Sequence, residues 1–87
     1  MYRSVLSRKA DKALRKIPTE YLPLLNKAIK ELAKEPRPQQ TIKLSGEFGD
    51  LYRHRVGHYR IFYSIDDNNK VIEILRIERR TTTTYQK

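Results

Sequence analysis

The chain has 87 residues, and its 19 lysine and arginine residues outnumber its 10 aspartate and glutamate residues, which gives a formal net charge of +9. There is no cysteine, so disulfide bonds and thiolate metal sites are excluded, and the length fits one domain over residues 1–87. No apolar run approaches the roughly 20 residues that cross a bilayer, and we expect a cytoplasmic protein.

The excess of positive charge indicates an anionic partner, because a strongly basic surface attracts polyanions and speeds their association. Charge alone does not choose among nucleic acid, an anionic membrane surface and an acidic protein. An ordinary solvated surface is the plainest alternative.

The N-terminal part predicts a strand followed by two helices. Residues 1–7, MYRSVLS, hold the β-branched and aromatic side chains typical of a strand. A first helix is predicted over residues 8–16, with Ser7 as its N-cap and Pro18 blocking its continuation. Its apolar residues share one side: Ala10, Leu14 and Ile17.

A second helix is predicted to begin at Thr19, a candidate N-cap, and to end at residues 35–38, EPRP. Its apolar stripe consists of Leu22, Leu25, Ala28, Ile29 and Leu32. Because only two residues separate the helices, we predict an antiparallel helical hairpin that covers one face of a sheet.

Two later segments are rich in turn-forming residues. Residues 39–50 contain Gly46 and Gly49 and are predicted to form a loop, which Ile42 and Leu44 anchor to the core. Residues 66–69, DDNN, predict a tight turn, since aspartate and asparagine tolerate left-handed backbone and bond their own main chain.

Residues 51–65, LYRHRVGHYRIFYSI, predict a hairpin of two strands joined at residues 56–58. The two-residue period of a strand places Arg53 and Arg55 on one face, with His54 opposite them. Arg60 alternates in the same way on the second strand, so three arginines could share one face of the sheet. The residues expected to pack in the core are His54, Tyr52, Tyr59 and Tyr63.

Residues 71–77, VIEILRI, form the most strand-like run and are predicted to lie in the centre of the sheet. Alternation places Arg79 on one face of this strand, with Val71, and Arg76 on the other, with Ile72. Tyr85 is expected near the end of the last strand. The predicted fold is α+β, in the order β-α-α-β-β-β, with a four-stranded, mainly antiparallel sheet whose second face is open and basic.

No nucleotide-binding glycine loop, paired carboxylate or nucleophile with neighbouring histidine and aspartate stands at a recognisable spacing, which removes most enzyme classes. What remains is a cluster of cations with a phenol: Arg53, Arg55, Arg60, Arg79 and Tyr85. Arginine binds phosphate in a bidentate fork and stabilises developing negative charge, and an aromatic ring stacks on unpaired bases. A nucleic-acid platform without catalysis is the blander alternative.

Four stretches together resemble the RelE/ParE superfamily of toxins from type II toxin-antitoxin modules. They are IKLSG, LYRHRVGHYRIFYSID, VIEILRI and a terminal arginine followed by a tyrosine. The resemblance covers essentially the whole chain, and its most specific part is the pattern of basic residues, glycine and Tyr-Arg that ends at Tyr63. It implies the RelE-like microbial RNase fold.

By this similarity, Arg53 or Arg55 contacts phosphate and helps to activate a ribose 2′-hydroxyl, while Arg60 stabilises the scissile phosphate. Arg79 binds phosphate or assists the leaving 5′-oxygen, and Tyr85 stacks on a base and orients or deprotonates the nucleophile. The implied RNA-binding residues are Arg53, Arg55, Arg60, Arg79 and Arg80. Relatives commonly have lysines where Arg53 and Arg55 stand. Because a guanidinium releases its proton less readily than an ammonium, the arginines of this chain favour an electrostatic role over that of a general base.

The resemblance therefore implies a metal-independent endoribonuclease, an mRNA interferase, that attacks messenger RNA on the ribosome and needs no cofactor. A cognate antitoxin would silence it in a toxin-antitoxin hetero-oligomer, with no membrane involved. Two alternatives stay open: a ParE-like inhibitor of DNA gyrase without nuclease activity, and a degenerate member that only binds RNA or antitoxin.

Overall fold

The computed structural model describes residues 1–46 and 49–79 of the chain. The elements in chain order are β1 (Arg3–Leu6), α1 (Arg8–Lys16), a 3-10 turn (Thr19–Tyr21), α2 (Leu22–Lys34), β2 (Thr41–Gly46), β3 (Gly49–Val56), β4 (Tyr59–Asp66) and β5 (Val71–Arg79). Helices and strands are segregated along the chain, which confirms the predicted α+β class. Neither helix in the described ranges has the length and apolar content needed to span a bilayer.

The strands form one five-stranded sheet in the order β1-β5-β4-β3-β2. β1 pairs with β5 in parallel, and the remaining neighbours are antiparallel. β5 is an interior strand, as its apolar run suggests, but β4 and not β5 lies at the centre. The helices connect β1 to the rest of the sheet, and β1 and β2 are the two edges.

The prediction of a loop over residues 39–50 is wrong. Part of this segment, Thr41–Gly46, forms β2, the fifth strand, which the predicted four-stranded sheet did not include. β2 pairs with β3 from Thr41 opposite His54 to Gly46 opposite Gly49. Because β2 is an edge strand with one neighbour, its composition carries few of the β-branched and aromatic residues that mark an interior strand. Ile42 does not anchor the segment to the core, since its side chain is 48% exposed.

The helices follow local sequence signals closely. α1 spans the predicted residues, and the Ser7 hydroxyl caps it by accepting a hydrogen bond from the backbone N–H of Ala10 at 3.0 Å. α2 begins at Leu22 and not at Thr19, because a 3-10 turn comes first and Pro23 occupies the first turn, where its missing N–H costs least. Both helices pack on one face of the sheet, and the fully buried large side chains between these layers are Leu25, Leu32, Ile61, Tyr63, Ile72 and Ile74.

A β-bulge between β4 and β5 changes which residues of β5 face the helices. Phe62 pairs with Arg76, but the next residue, Tyr63, pairs with Ile74, so Leu75 has no paired residue on β4. The extra residue reverses the alternation beyond it. Arg76 therefore lies on the open face and Arg79 on the helix-covered face, which is the opposite of the prediction from a regular two-residue period.

Candidate functional site

Three arginines share the open face of the sheet. Arg55 on β3 lies directly across from Arg60 on β4, and Arg53 lies across from Phe62. Since residues paired across two strands project from the same side of the sheet, these three side chains form one group. The neighbours of Arg53 and Arg55 in β3, Tyr52, His54 and Val56, are buried against the helices, as the alternation predicts.

None of these three guanidinium groups forms an ion pair with a carboxylate of residues 1–46 or 49–79. Glu78, which pairs with Arg60 in register, bonds instead to Arg76, with 3.0 Å between Nε of Arg76 and Oε2 of Glu78. Like charges directly opposite one another on a sheet are unfavourable. An anionic ligand bound on this face would relieve that repulsion.

Arg76 is a fourth cation on the open face, and the sequence pattern did not identify it. Its guanidinium carbon lies 4.5 Å from the centroid of the Phe62 ring, in a cation–π contact. Arg76 therefore covers the Phe62 ring. Because Glu78 also neutralises its charge, Arg76 contributes less unbalanced positive charge than the other three arginines of the open face. No local signal indicates this position, since it results from the bulge.

Arg79 lies apart from the other predicted site residues. It pairs with Tyr59, and it lines a cleft of about 240 Å³ on the helix-covered side with residues of α1 and its C-terminal end, including Lys16 and Ile17. The geometry thus joins Arg53, Arg55 and Arg60 but sets Arg79 on the opposite face, at the exposed end of β5. Arg80 and Tyr85, the remaining predicted site residues, lie outside the described residues.

A basin opens where the edge strand β2 begins. β2 starts at Thr41, opposite His54, so Arg55 and Val56 of β3 extend beyond the edge strand. The resulting space, about 590 Å³, is hereafter called the edge basin, and it is lined by Gln39, Gln40, Ile42, Arg53, Arg55 and Gly57. The first three of these residues were not predicted to belong to a site.

His54 belongs to a hydrogen-bonded network beneath this basin. Its Nδ1 lies 3.1 Å from Oγ1 of Thr41, which lies 3.3 Å from the Tyr63 hydroxyl, and that hydroxyl donates to the carbonyl of Pro36. Burial lowers the pKa of His54, against a smaller opposing effect of Glu31, so the neutral ring is favoured. The structural role predicted for His54 agrees with this position.

The ParE toxin family of type II toxin-antitoxin systems (parDE) has a model that matches residues 5–83 of this sequence. The chain belongs to this family. The match spans both helices and all the residues of the arginine group, and it confirms the predicted membership of the RelE/ParE superfamily. No curated protein matches the toxin at a significant level.

Solved structures agree with this assignment. A chain of the archaeal RelE–RelB complex from Pyrococcus horikoshii is 35% identical, with 93% of the toxin and 97% of that chain covered and a TM-score of 0.81. A chain of the toxin-antitoxin complex RelBE2 from Mycobacterium tuberculosis is 29% identical, with 91% and 98% covered and a TM-score of 0.80. The isolated RelE toxin of Escherichia coli, at 24% identity, 99% and 93% coverage and a TM-score of 0.81, shares the fold.

Proposed function

We propose that the toxin is an mRNA interferase, an endoribonuclease that cleaves messenger RNA on the ribosome in the cytoplasm. The observation that carries this proposal is the group of Arg53, Arg55 and Arg60, which share one face and form no ion pair in the described part of the chain. Arginine side chains in this state bind phosphate strongly, because they do not first have to leave an internal carboxylate.

The proposed reaction is internal transesterification. The 2′-oxygen of a ribose forms a bond to the adjacent phosphorus while the bond from phosphorus to the 5′-oxygen of the next nucleotide breaks. The 2′-hydroxyl loses its proton and the leaving 5′-oxygen gains one, which leaves a 2′,3′-cyclic phosphate and a 5′-hydroxyl. Negative charge grows on the phosphoryl oxygens in the transition state, and donors fixed in advance around them lower its free energy.

Arg55 and Arg60 are the pair best placed to clasp the scissile phosphate, since they lie directly opposite one another on adjacent strands. Arg53, two residues before Arg55 on the same face, would bind the next phosphate or the same one from the side. Arginine is a poor general base because it retains its proton. We therefore assign proton removal to Tyr85, by its resemblance to RelE-like nucleases, and further phosphate contacts to Arg79 and Arg80.

A cognate antitoxin is the proposed protein partner. The relatives from P. horikoshii and M. tuberculosis were both solved as toxin-antitoxin complexes. An antitoxin bound to this toxin in a hetero-oligomer would neutralise it by covering the arginine group or by blocking access to the ribosome. Co-expression with the neighbouring-gene protein should restore growth of cells that produce the toxin.

A gyrase inhibitor is the second candidate, because the family model that matches the chain is that of the ParE toxin. In that case the arginine group would be a binding surface for a protein and would perform no chemistry. The RelE relatives at 35% and 29% identity favour the nuclease.

The deciding experiment is primer extension on messenger RNA after induced expression, with gyrase supercoiling assayed in parallel. We expect discrete breaks in messages and unaffected supercoiling, with the breaks lost in Arg55→Ala and retained in Arg3→Ala, which removes an exposed arginine of β1. Poisoned gyrase with intact messages would overturn the nuclease and establish the second candidate.

A further inference from the structure

The edge basin has features that phosphate binding alone does not require. Two of its lining side chains are guanidinium groups, but two others are the carboxamides of Gln39 and Gln40, and another is the apolar side chain of Ile42. Ile42 is one of the large apolar residues that the described fold leaves exposed, at 48%. The volume of the edge basin, about 590 Å³, lies within the range of roughly 300–1,000 Å³ that holds small organic ligands.

The backbone that carries the two glutamines is held on both sides. Before them, the Pro36 carbonyl accepts a hydrogen bond from the buried Tyr63 hydroxyl, and Nη2 of Arg37 lies 2.9 Å from Oδ2 of Asp67. After them, the backbone N–H of Thr41 donates to the Pro38 carbonyl at 3.1 Å. The glutamine side chains thus extend from an anchored segment, which lowers the entropic cost of ordering them when a ligand binds.

The polar side chains of the basin have no protein partner in the described ranges. Gln39 and Gln40 make no hydrogen bond there, and Arg53 and Arg55 make no ion pair. A carboxamide presents a donor and an acceptor side by side, which is the pattern needed to bond the edge of a nucleobase. The exposed apolar surface of Ile42 can pack against the flat face of a base, and the arginines can bind the phosphate of the same nucleotide.

We infer that the edge basin binds one unpaired RNA nucleotide, whose phosphate contacts Arg53 and Arg55 and whose base Gln39 and Gln40 read. This inference rests on the proposed function for the identity of the ligand as RNA. A glutamine side chain bonds adenine in a bidentate manner, with its oxygen accepting from the 6-amino group and its nitrogen donating to a ring nitrogen. Adenine is therefore the preferred base, and Gln39 and Gln40 are specificity-determining residues.

The test uses short oligonucleotides that the toxin cannot cleave. Four labelled pentanucleotides are compared by fluorescence anisotropy. Each has uridines at the flanking positions and a different base at the centre, and deoxyribose replaces ribose at every position where the toxin could cut. We expect the toxin to bind the adenine oligonucleotide about tenfold more tightly than the uracil one, as a bidentate base contact gives. In Gln39→Ala and Gln40→Ala this ratio should fall to about threefold or less.

Asn26→Ala is the matched control, because it removes an exposed carboxamide from α2 that does not line the basin. It should retain the preference of the parent protein. Equal binding of the four oligonucleotides by the parent, or an unchanged preference in both glutamine variants, would overturn the inference and leave the basin as a phosphate site only.

Sequencing of the message ends produced in cells separates this inference from the proposed function. If the toxin prefers adenine in the binding assay but cuts no message, the nuclease is wrong and the base-reading basin stands. If the toxin cuts messages and both glutamine variants produce the same bases at the cut sites, the nuclease stands and the base-reading role is wrong.

Discussion

Arg55 and Arg60 face each other directly across β3 and β4, and neither guanidinium forms an ion pair in the described part of the toxin. Two cations in this relationship lower the stability of the folded chain, since like charges directly opposite on a sheet repel. A fold retains such a pair at a cost in stability when the pair serves a ligand. The pair is therefore the place where stability and function should change in opposite directions.

Arg55→Gln should stabilise the toxin while it inactivates it, because Arg55 lies opposite Arg60 alone, whereas Arg60 also lies opposite the carboxylate of Glu78. Removing one of the two opposed charges should raise the free energy of unfolding by up to about 1 kcal/mol at low salt. The gain should shrink at high salt, because ions screen exposed charges. Cleavage should fall by about 100-fold or more, as on loss of one preorganised donor. Thermal melts at two salt concentrations and a cleavage assay measure both effects.

The control for this prediction is Arg3→Gln. Arg3 is an exposed arginine of β1 that pairs in register with Val71 and so has no cation opposite it. Its replacement should change neither the melting temperature nor cleavage appreciably. A destabilised Arg55→Gln protein would contradict the repulsion argument and indicate that Arg55 has a structural role.

Tyr63→Phe should destabilise the fold by about 1–3 kcal/mol. The change removes a buried hydroxyl that donates to the Pro36 carbonyl and lies 3.3 Å from Oγ1 of Thr41, and it leaves that carbonyl without its partner. Chemical denaturation measures the effect. Tyr59→Phe is the matched control, since Tyr59 is similarly buried but its hydroxyl bonds to no described residue. Equal losses in both variants would show that the Pro36 contact contributes nothing specific.

The stability of the toxin should fall as the pH is lowered from 7 to 5, in part because of His54. Burial lowers the pKa of His54 in the folded chain, so the unfolded chain takes up this proton first, beginning near its ordinary pKa of about 6.5. Over that interval the unfolded state binds more protons, and the free energy of unfolding decreases with decreasing pH. His54→Gln should reduce the slope of melting temperature against pH. His58→Gln, which changes an exposed histidine, is the matched control, and identical slopes in all three proteins would refute this account.

Arg79→Ala and Tyr85→Phe should each reduce toxicity strongly without loss of the fold. Arg79 is exposed at the end of β5, where truncation opens no cavity, and surface changes of this kind shift stability by about 0.5 kcal/mol or less. The rate effect of losing a charge-stabilising group is on the order of 100-fold. Growth assays, thermal melts and co-purification with the antitoxin are the measurements.

Lys16→Ala is the control for Arg79, because Lys16 lines the same cleft on the helix-covered side. Toxicity should survive this change if Arg79 acts by contacting an RNA phosphate and not by packing in the cleft. Full toxicity of the Arg79→Ala protein would instead place Arg79 outside the site. A collapsed melt of either Arg79→Ala or Tyr85→Phe would identify the changed residue as structural.

The sequence by itself determined the features that depend on neighbouring residues. The first helix is defined by residues within one segment of the chain. Ser7 caps its start, its apolar residues recur on one side, and Pro18, which lacks an N–H, prevents its continuation. The alternation within residues 51–65 likewise assigned Arg53 and Arg55 to one face and His54 to the other, because a strand has a fixed period of two. The resemblance of that stretch also identified the superfamily.

The tertiary structure decided what depends on pairing between distant segments. β2 exists because β3 offers it an edge, although its own Gly46 and polar residues favour a loop. The unpaired Leu75 moves Arg76 to the open face and Arg79 to the other, and no local pattern encodes a bulge. The edge basin arises only because β2 begins one residue short of Arg55, which places Gln39 and Gln40 beside it. Strand register is set by contacts made across the sheet, and a single sequence does not state which residues will be opposite each other.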